Sequence, residues 1–369
     1  MELISERHPL VVVVGSGGVG KTTLAAAMGV LSARSGRDTL VMTFDPSLRL
    51  KDALGVGEEA KLQETAVPLD APGQLHASLL DARQTFDRLI QRYAPDEEAW
   101  QRILENRFYL HLSGTLSGIL EYMAVERLFE VEAEGKYAQV ILDTPPTRQA
   151  LDFLEAPSRI VGFLESGAIR VAVKPWFDEA GRLKATSRWG ALGRQAERFL
   201  DDVVGLDLLR DMAEFFQAFA PLYEGFRERA QAVEQLLRSP KTRFVLVAGP
   251  GEERIPDTLF FARRLEQAGF HLGPIVVNRV HPPFVLEPAP PSGNRGNPCS
   301  PSGWELLAWL GERDRRGLVE LAKLLAREQA LIDVPLLPEE PTDLASLESL
   351  GKTVQERLAG WSRYVSRSS

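Results

Sequence analysis

Cysteine is almost missing from this chain: Cys299 is the single such residue among 369. A disulfide within the chain is therefore impossible, and so is a metal site built from several thiolates of one chain. Long apolar runs are absent as well. The N-terminal stretch MELISERHPLVVVVGSGG has five consecutive apolar residues before a glycine cluster. That is too short for a signal peptide, and no other stretch reaches the roughly 18 apolar residues of a membrane span. Positive charge is not in excess either, since Lys and Arg total 43 against 51 Asp and Glu, a net charge of −8. A protein that works by neutralising nucleic-acid phosphates is thereby excluded. These absences lead us to expect a soluble, cytoplasmic chain that does not span a membrane.

The remaining composition, 44% hydrophobic and 25% charged, is enough to build a large core and is incompatible with disorder throughout. Leu10-Val11-Val12-Val13-Val14 is a continuous run bounded by Pro9 and Gly15, the pattern of a strand buried on both faces of a parallel sheet. Helix-favouring residues follow from Thr22 to Met28, and 39–44 reads as a second strand. Strand, helix and strand within about 35 residues make a βαβ unit. Strand signals return at 138–142, 244–248 and 274–278, while about 76–135 and 157–238 read as helical. The stretch 282–303 is dense in Pro, Gly and Ser and reads as a flexible surface loop, with Cys299 in it as an incidental thiol. No internal repeat and no clean linker are visible. The expectation is one α/β domain over 1–369: a mostly parallel sheet flanked by helices, assembled from distant segments, with two helical inserts.

Gly15-Ser16-Gly17-Gly18-Val19-Gly20-Lys21-Thr22 matches the pattern G-x-x-x-x-G-K-[ST], with Thr23 directly after it. Glycines let successive backbone N–H groups turn inward and cradle phosphate oxygens. Lys21 reaches the β/γ-phosphates, and the Thr22 hydroxyl ligates Mg²⁺. The helix that starts near Lys21 adds the positive end of its dipole. A strand before and a helix after are the context a phosphate-binding loop requires, so the loop reads as a nucleotide site.

Asp45 follows the second strand and Asp143 ends another, on the sheet edge where open parallel sheets bind ligands. Each alone is an ordinary turn-capping residue. Beside a P-loop they become candidate partners, one carboxylate holding Mg²⁺ through water and the other orienting the attacking water. Asn278, after Ile275-Val276-Val277, either reads an adenine edge through its amide or simply forms a turn.

These segments carry a resemblance. GSGGVGKTT at 15–23, FDPSLRLKDAL at 44–54, ILDTPPTRQALDFLEAP at 141–157, VVNRV at 276–280 and VPLLPEEPTDLASL at 334–347 resemble the family of ArsA and guided-entry (GET pathway) ATPases, in the deviant-Walker-A branch of P-loop proteins. The interval 104–128 resembles a bacterial subgroup of it. The resemblance implies a dimer that closes across two facing nucleotides, hydrolyses ATP with Mg²⁺ and couples that cycle to a cargo, in the guided-entry members a tail-anchored membrane protein. It assigns phosphate binding to Lys21, Mg²⁺ ligation to Thr22, activation of the hydrolytic water to Asp45, a place near Mg²⁺ to Asp143, and adenine contacts to Asn278 and Pro335.

Two departures matter. The family's loop usually carries Lys second, reaching across the dimer to the opposite nucleotide; here Ser16 stands there, without charge. Hydrolysis is then slow, or another cation substitutes (Arg49 and Arg148 being candidates, otherwise plain surface residues), or a paralogous partner supplies the lysine in a heterodimer. The chain is then an active homodimer or heterodimer, or alternatively a low-turnover, nucleotide-gated regulatory subunit. The second departure is thiols: one cysteine provides neither the metalloid site of arsenite pumps nor the shared zinc of guided-entry ATPases. An anion-pump role and a structural zinc are therefore not expected. The amphipathic stretch 206–219, with Leu208, Met212, Phe215, Phe216 and Phe219 on one face and Leu222, Tyr223 and Phe226 extending it, packs on its own core or dimer interface, or forms a groove for an apolar client helix.

Overall fold

The computed structural model describes residues 7–43, 49–61, 63–107, 109, 117–144, 155–156, 211, 214–215, 218, 222–284 and 303–368. The chain divides into two compact units: 1–80 with 134–150 and 237–369, and 81–133 with 151–236.

The first unit is built on one eight-stranded sheet in the order β3-β4-β2-β5-β1-β6-β7-β8. The strands are β1 (Leu10–Gly15), β2 (Thr39–Thr43), β3 (Thr65–Ala66), β4 (Leu75–Leu79), β5 (Gln139–Asp143), β6 (Thr242–Ala248), β7 (Leu272–Val280) and β8 (Leu331–Pro335). All neighbours pair in parallel except β3 with β4. The fold is therefore α/β, as expected, with β5 and β6 flanking β1 although they lie far from it in sequence. Leu10 to Val14 are fully buried, which is why the run shows no alternation: both faces of β1 are covered.

Helix α1 (Lys21–Arg34) leaves the P-loop and is buried on nearly every side, so it tolerates the all-round small apolar run LAAAMGV. It packs against the C-terminal helix, Leu344–Ser368. Its core takes in Val11, Val13, Val41, Ile141, Val245 and Val276 from the strands and Leu347, Leu350 and Val354 from that C-terminal helix. The strand β4 falls where the sequence reads as helical. Leu75-His76-Ala77-Ser78-Leu79 has no β-branched residue, and it becomes a strand because the edge of β2 is open to it in register from Thr39 opposite Leu75.

The second unit is helical where described, with Ala82–Tyr93, Glu97–Leu104, Ser117–Glu134 and Tyr223–Arg238, the last two crossing the unit boundary at one end. Asp81 and Asp96 cap the first two of these, accepting from Gln84 N at 3.0 Å and Ala99 N at 2.7 Å. Phe86, Ile90, Ile103, Tyr109, Phe215, Leu222 and Phe226 share one buried cluster. So Phe215, Leu222 and Phe226 of the apolar stripe lie in this unit's own core; Leu208, Met212, Phe216, Phe219 and the side chain of Tyr223 are outside what is described. The loop 282–303 is described only at its ends, and Cys299 is not. Among the described residues no helix is long and apolar enough to cross a membrane.

Candidate functional site

The C-terminal ends of β1, β5 and β2 meet at one point of the sheet. The loop from Gly15 to Thr22 leaves β1 there and enters α1. Gly15 has φ 152°, and a Cβ on it would stand 2.1 Å from the Val247 carbonyl oxygen of β6, so only glycine fits. Gly20 caps α1 in the left-handed region, φ 92°. A side chain there would run into the Asn278 amide, 2.5 Å from the Cβ position.

Across the base of the loop the Thr22 hydroxyl donates to Asp143 Oδ2 at 2.7 Å, and the Thr43 hydroxyl donates to the same oxygen at 2.8 Å. Asp143 is fully buried, and Thr22 and Lys21 nearly so. β2 and β5 run in register with Thr43 opposite Asp143, which is what delivers the second hydroxyl. Next along β5's exit, Thr144 locks to β1 by a hydroxyl bond to the Val13 carbonyl at 2.8 Å. Lys21 folds its ammonium over the loop and donates to the Ser16 carbonyl at 3.1 Å. No hydrogen bond from the N–H of Gly17, Gly18, Val19 or Gly20 is found among the described residues. A hydroxyl and a carboxylate are hard oxygen donors of the kind Mg²⁺ takes together with phosphate oxygens and water.

On the other flank, the Asn278 amide donates to the Val19 carbonyl at 2.8 Å and is itself nearly buried. Gly17, Gly18, Val19, Gly249, Pro250, Glu253, Arg254, Asn278, Arg279 and Arg313 line a cleft of about 320 Å³. Arg313 is anchored by the fully buried Asp314, whose carboxylate also takes the His281 backbone N–H at 3.0 Å. Burial by itself would raise that carboxyl; the bonds from His281 and Arg313 outweigh it and hold it below the ordinary range. Three arginines and Glu253 thus line a cleft beside the loop, Arg279 and Arg313 each paired with a carboxylate.

The family described as anion-transporting ATPase (ArsA) matches residues 8–290. The chain belongs to this family. It is accordingly an ATPase. A protein of Aquifex aeolicus named for an arsenical pump-driving ATPase is 25% identical over 346 residues, covering 92% of this chain and 77% of its own. The ATPase GET3 of Malassezia globosa is 25% identical over 345 residues, covering 92% of this chain and 88% of its own. An ATPase ASNA1 homologue of Paramecium tetraurelia is 29% identical over 148 residues, 39% of this chain and 42% of its own.

The structure brings together Gly15 to Thr23, Asp143 and Asn278, and it puts Pro335 at the end of β8 beside Val280 of β7. Asp45 and Arg148 lie outside the described residues; Arg49 begins the short helix Arg49–Leu54 and is exposed. Sequence reasoning missed Thr43, Thr144, Arg254, Arg279 and Arg313. Thr144 follows Asp143 directly and was within reach of a local reading. Thr43 became visible only through the pairing of β2 with β5, and the arginines only through the crossing of chain segments.

Proposed function

We propose that the loop from Gly15 to Thr22 grips the triphosphate of ATP, and that this chain hydrolyses the β–γ bond in a Mg²⁺-dependent way. The observation that carries the reading is the Thr22 hydroxyl on the buried Asp143 carboxylate at 2.7 Å, beneath a loop whose Gly17, Gly18 and Gly20 N–H groups make no hydrogen bond among the described residues. Thr22 and Asp143 would hold Mg²⁺, which when bound neutralises charge on the phosphate oxygens. Lys21 and the loop N–H groups stabilise charge on the transferring phosphoryl, and Asp45 positions the attacking water in line. Asn278 and Pro335 take the adenine side.

The family resemblance supports a dimer that couples its nucleotide state to binding of a hydrophobic client, in the manner of the guided-entry members. A second reading has one specific observation behind it. Ser16 brings no charge where the family's loop usually carries lysine, which favours a low-turnover regulatory subunit paired with a lysine-bearing paralogue. Phosphate release from the isolated chain separates the two readings. Asp45→Asn is expected to abolish hydrolysis while leaving Mg²⁺-ATP binding nearly intact. Turnover near the wild-type rate in a folded Asp45→Asn protein would remove the role given to Asp45, and calorimetry without Mg²⁺-dependent heat on adding ATP would remove the site.

A further inference from the structure

β7 carries an irregularity at the point where it meets the nucleotide loop. Its residues Val277 and Val280 pair with Asp333 and Pro335 of β8, so three steps on β7 oppose two on β8. The extra residue is a bulge, a device that re-aims side chains at the end of a strand. Here it turns Asn278 and Arg279 together onto the P-loop. Asn278 holds the Val19 carbonyl at 2.8 Å, and the Arg279 guanidinium donates to the carbonyl just before it, Gly18, at 3.1 Å. Arg279 adopts φ 63°, and it is the one non-glycine residue with a positive φ among the described residues. A bulky side chain stays in that region only where its surroundings over-determine it. One part of those surroundings is Glu340, on the segment after β8, which accepts from the other arm of the same guanidinium at 2.6 Å.

We propose that Arg279 is a positioning residue for phosphate binding, steadied by Glu340. This rests on the reading that the loop grips phosphate. Gly17, Gly18 and Gly20 leave the peptides between them free to rotate, so sequence alone does not decide which way each carbonyl points. The peptide that joins Gly18 to Val19 is trans. Holding its carbonyl toward Arg279 therefore turns the Val19 N–H to the opposite side, and Asn278 does the same for the N–H of Gly20. Two adjacent donors are thereby fixed as a pair, which is what an anion cradle needs. The Arg279–Glu340 pair is largely exposed, at 44% and 78%, so it adds little to folding stability and acts through the loop. It also ties the segment that begins at Pro335 to the phosphate loop.

The test is calorimetric titration of Mg²⁺-ATP and Mg²⁺-ADP into the full chain, with thermal unfolding of the same samples. Arg279→Met and Arg279→Gly are expected to weaken both nucleotides about tenfold, the scale of one lost charge-assisted hydrogen bond. Arg279→Gly relieves the left-handed backbone and should unfold no earlier than wild type, so affinity falls while stability does not. Arg279→Lys should recover part of the affinity, and Glu340→Gln should lose about twofold, the scale of an exposed ion pair. Wild-type affinity in Arg279→Met and Arg279→Gly would overturn the proposal and leave the phosphate-loop reading standing. Loss of affinity and of unfolding temperature in parallel in both variants would also overturn it, by making Arg279 a residue of the fold. A wild-type chain that binds neither nucleotide would overturn the underlying reading, and this one with it.

Discussion

The two units bury their polar groups for different purposes. In the sheet unit the core is almost wholly aliphatic, and Lys21, Thr22, Thr43, Asp143, Thr144 and Asn278 are buried together at the carboxyl ends of the strands. Every residue expected to touch nucleotide belongs to that unit. In the helical unit the buried charge is Glu126, fully enclosed and paired with Arg229 at 2.5 Å, and the Arg229 guanidinium lies 3.9 Å from the Tyr93 ring centre. The polar cluster at the strand ends of the first unit is a site; the buried charge of the second is a packing constraint. A parallel sheet satisfies its own backbone and leaves the strand ends to chemistry. A helical core has no such edge, and a charge inside it must find its partner in a neighbouring helix.

The comparison is broken most severely by removing one member of that pair. Arg229→Leu takes one partner from the fully buried Glu126 carboxylate and is expected to destabilise the helical unit by about 1.5–3 kcal/mol, the scale of a lost hydrogen bond to a charged group. The replacement of both, Glu126→Leu with Arg229→Leu, should recover most of that loss. Urea unfolding followed through Trp100 in the helical unit reads it, while Mg²⁺-ATP binding to the folded protein should be little changed. If the single variant unfolds like wild type, Glu126 is not held by Arg229.

A smaller effect is expected at the helix caps of the same unit. Asp96→Ala removes the acceptor for Ala99 N and should cost about 1 kcal/mol, visible as a lower urea midpoint for the Trp100 signal. An unchanged midpoint would mean that the helix start is set by packing alone.

The most gradual effect is expected in acid and concerns the sheet unit. His8 and His76 both titrate below the usual 6.5, chiefly because burial disfavours their charged forms. His8 is held neutral between two partners, bonding the Pro240 carbonyl at 2.9 Å and Arg243 at 2.8 Å through its two ring nitrogens. The unfolded chain therefore binds protons that the folded one refuses, and stability rises with pH across this window. The contribution is complete above 6.5 and is lost as pH falls from there through the depressed values. Replacing both histidines with Gln should flatten that slope in unfolding measured between pH 7 and 5; an unaltered slope would place the acid sensitivity elsewhere.

Much of the sheet was legible before any coordinates. Five strands could be read because β1, β2, β5, β6 and β7 are central and apolar on both faces, a pattern that does not depend on knowing their neighbours. β3, β4 and β8 escaped: Thr65-Ala66 is too short to signal anything, Leu75-His76-Ala77-Ser78-Leu79 has no strand-favouring chemistry of its own, and Leu331-Ile332-Asp333-Val334-Pro335 is a short, half-buried edge strand broken by Asp333 and closed by Pro335. The P-loop was legible in full, since its glycines and its lysine answer to local geometry. Asn278 was legible as a strand-end residue, but its grip on the Val19 carbonyl was not, because that contact spans 259 residues.

By itself, then, the sequence determined the α/β class, the nucleotide loop and the impossibility of a disulfide within the chain, because each follows from short-range spacing or from a count of residues. Tertiary structure decided the order of strands around β1, the meeting of Thr22 and Thr43 on one oxygen of Asp143, and the bulge that aims Arg279 at Gly18. Those depend on which distant segments lie side by side, and a parallel sheet sets that through its crossovers and shared core, not through any local run of residues.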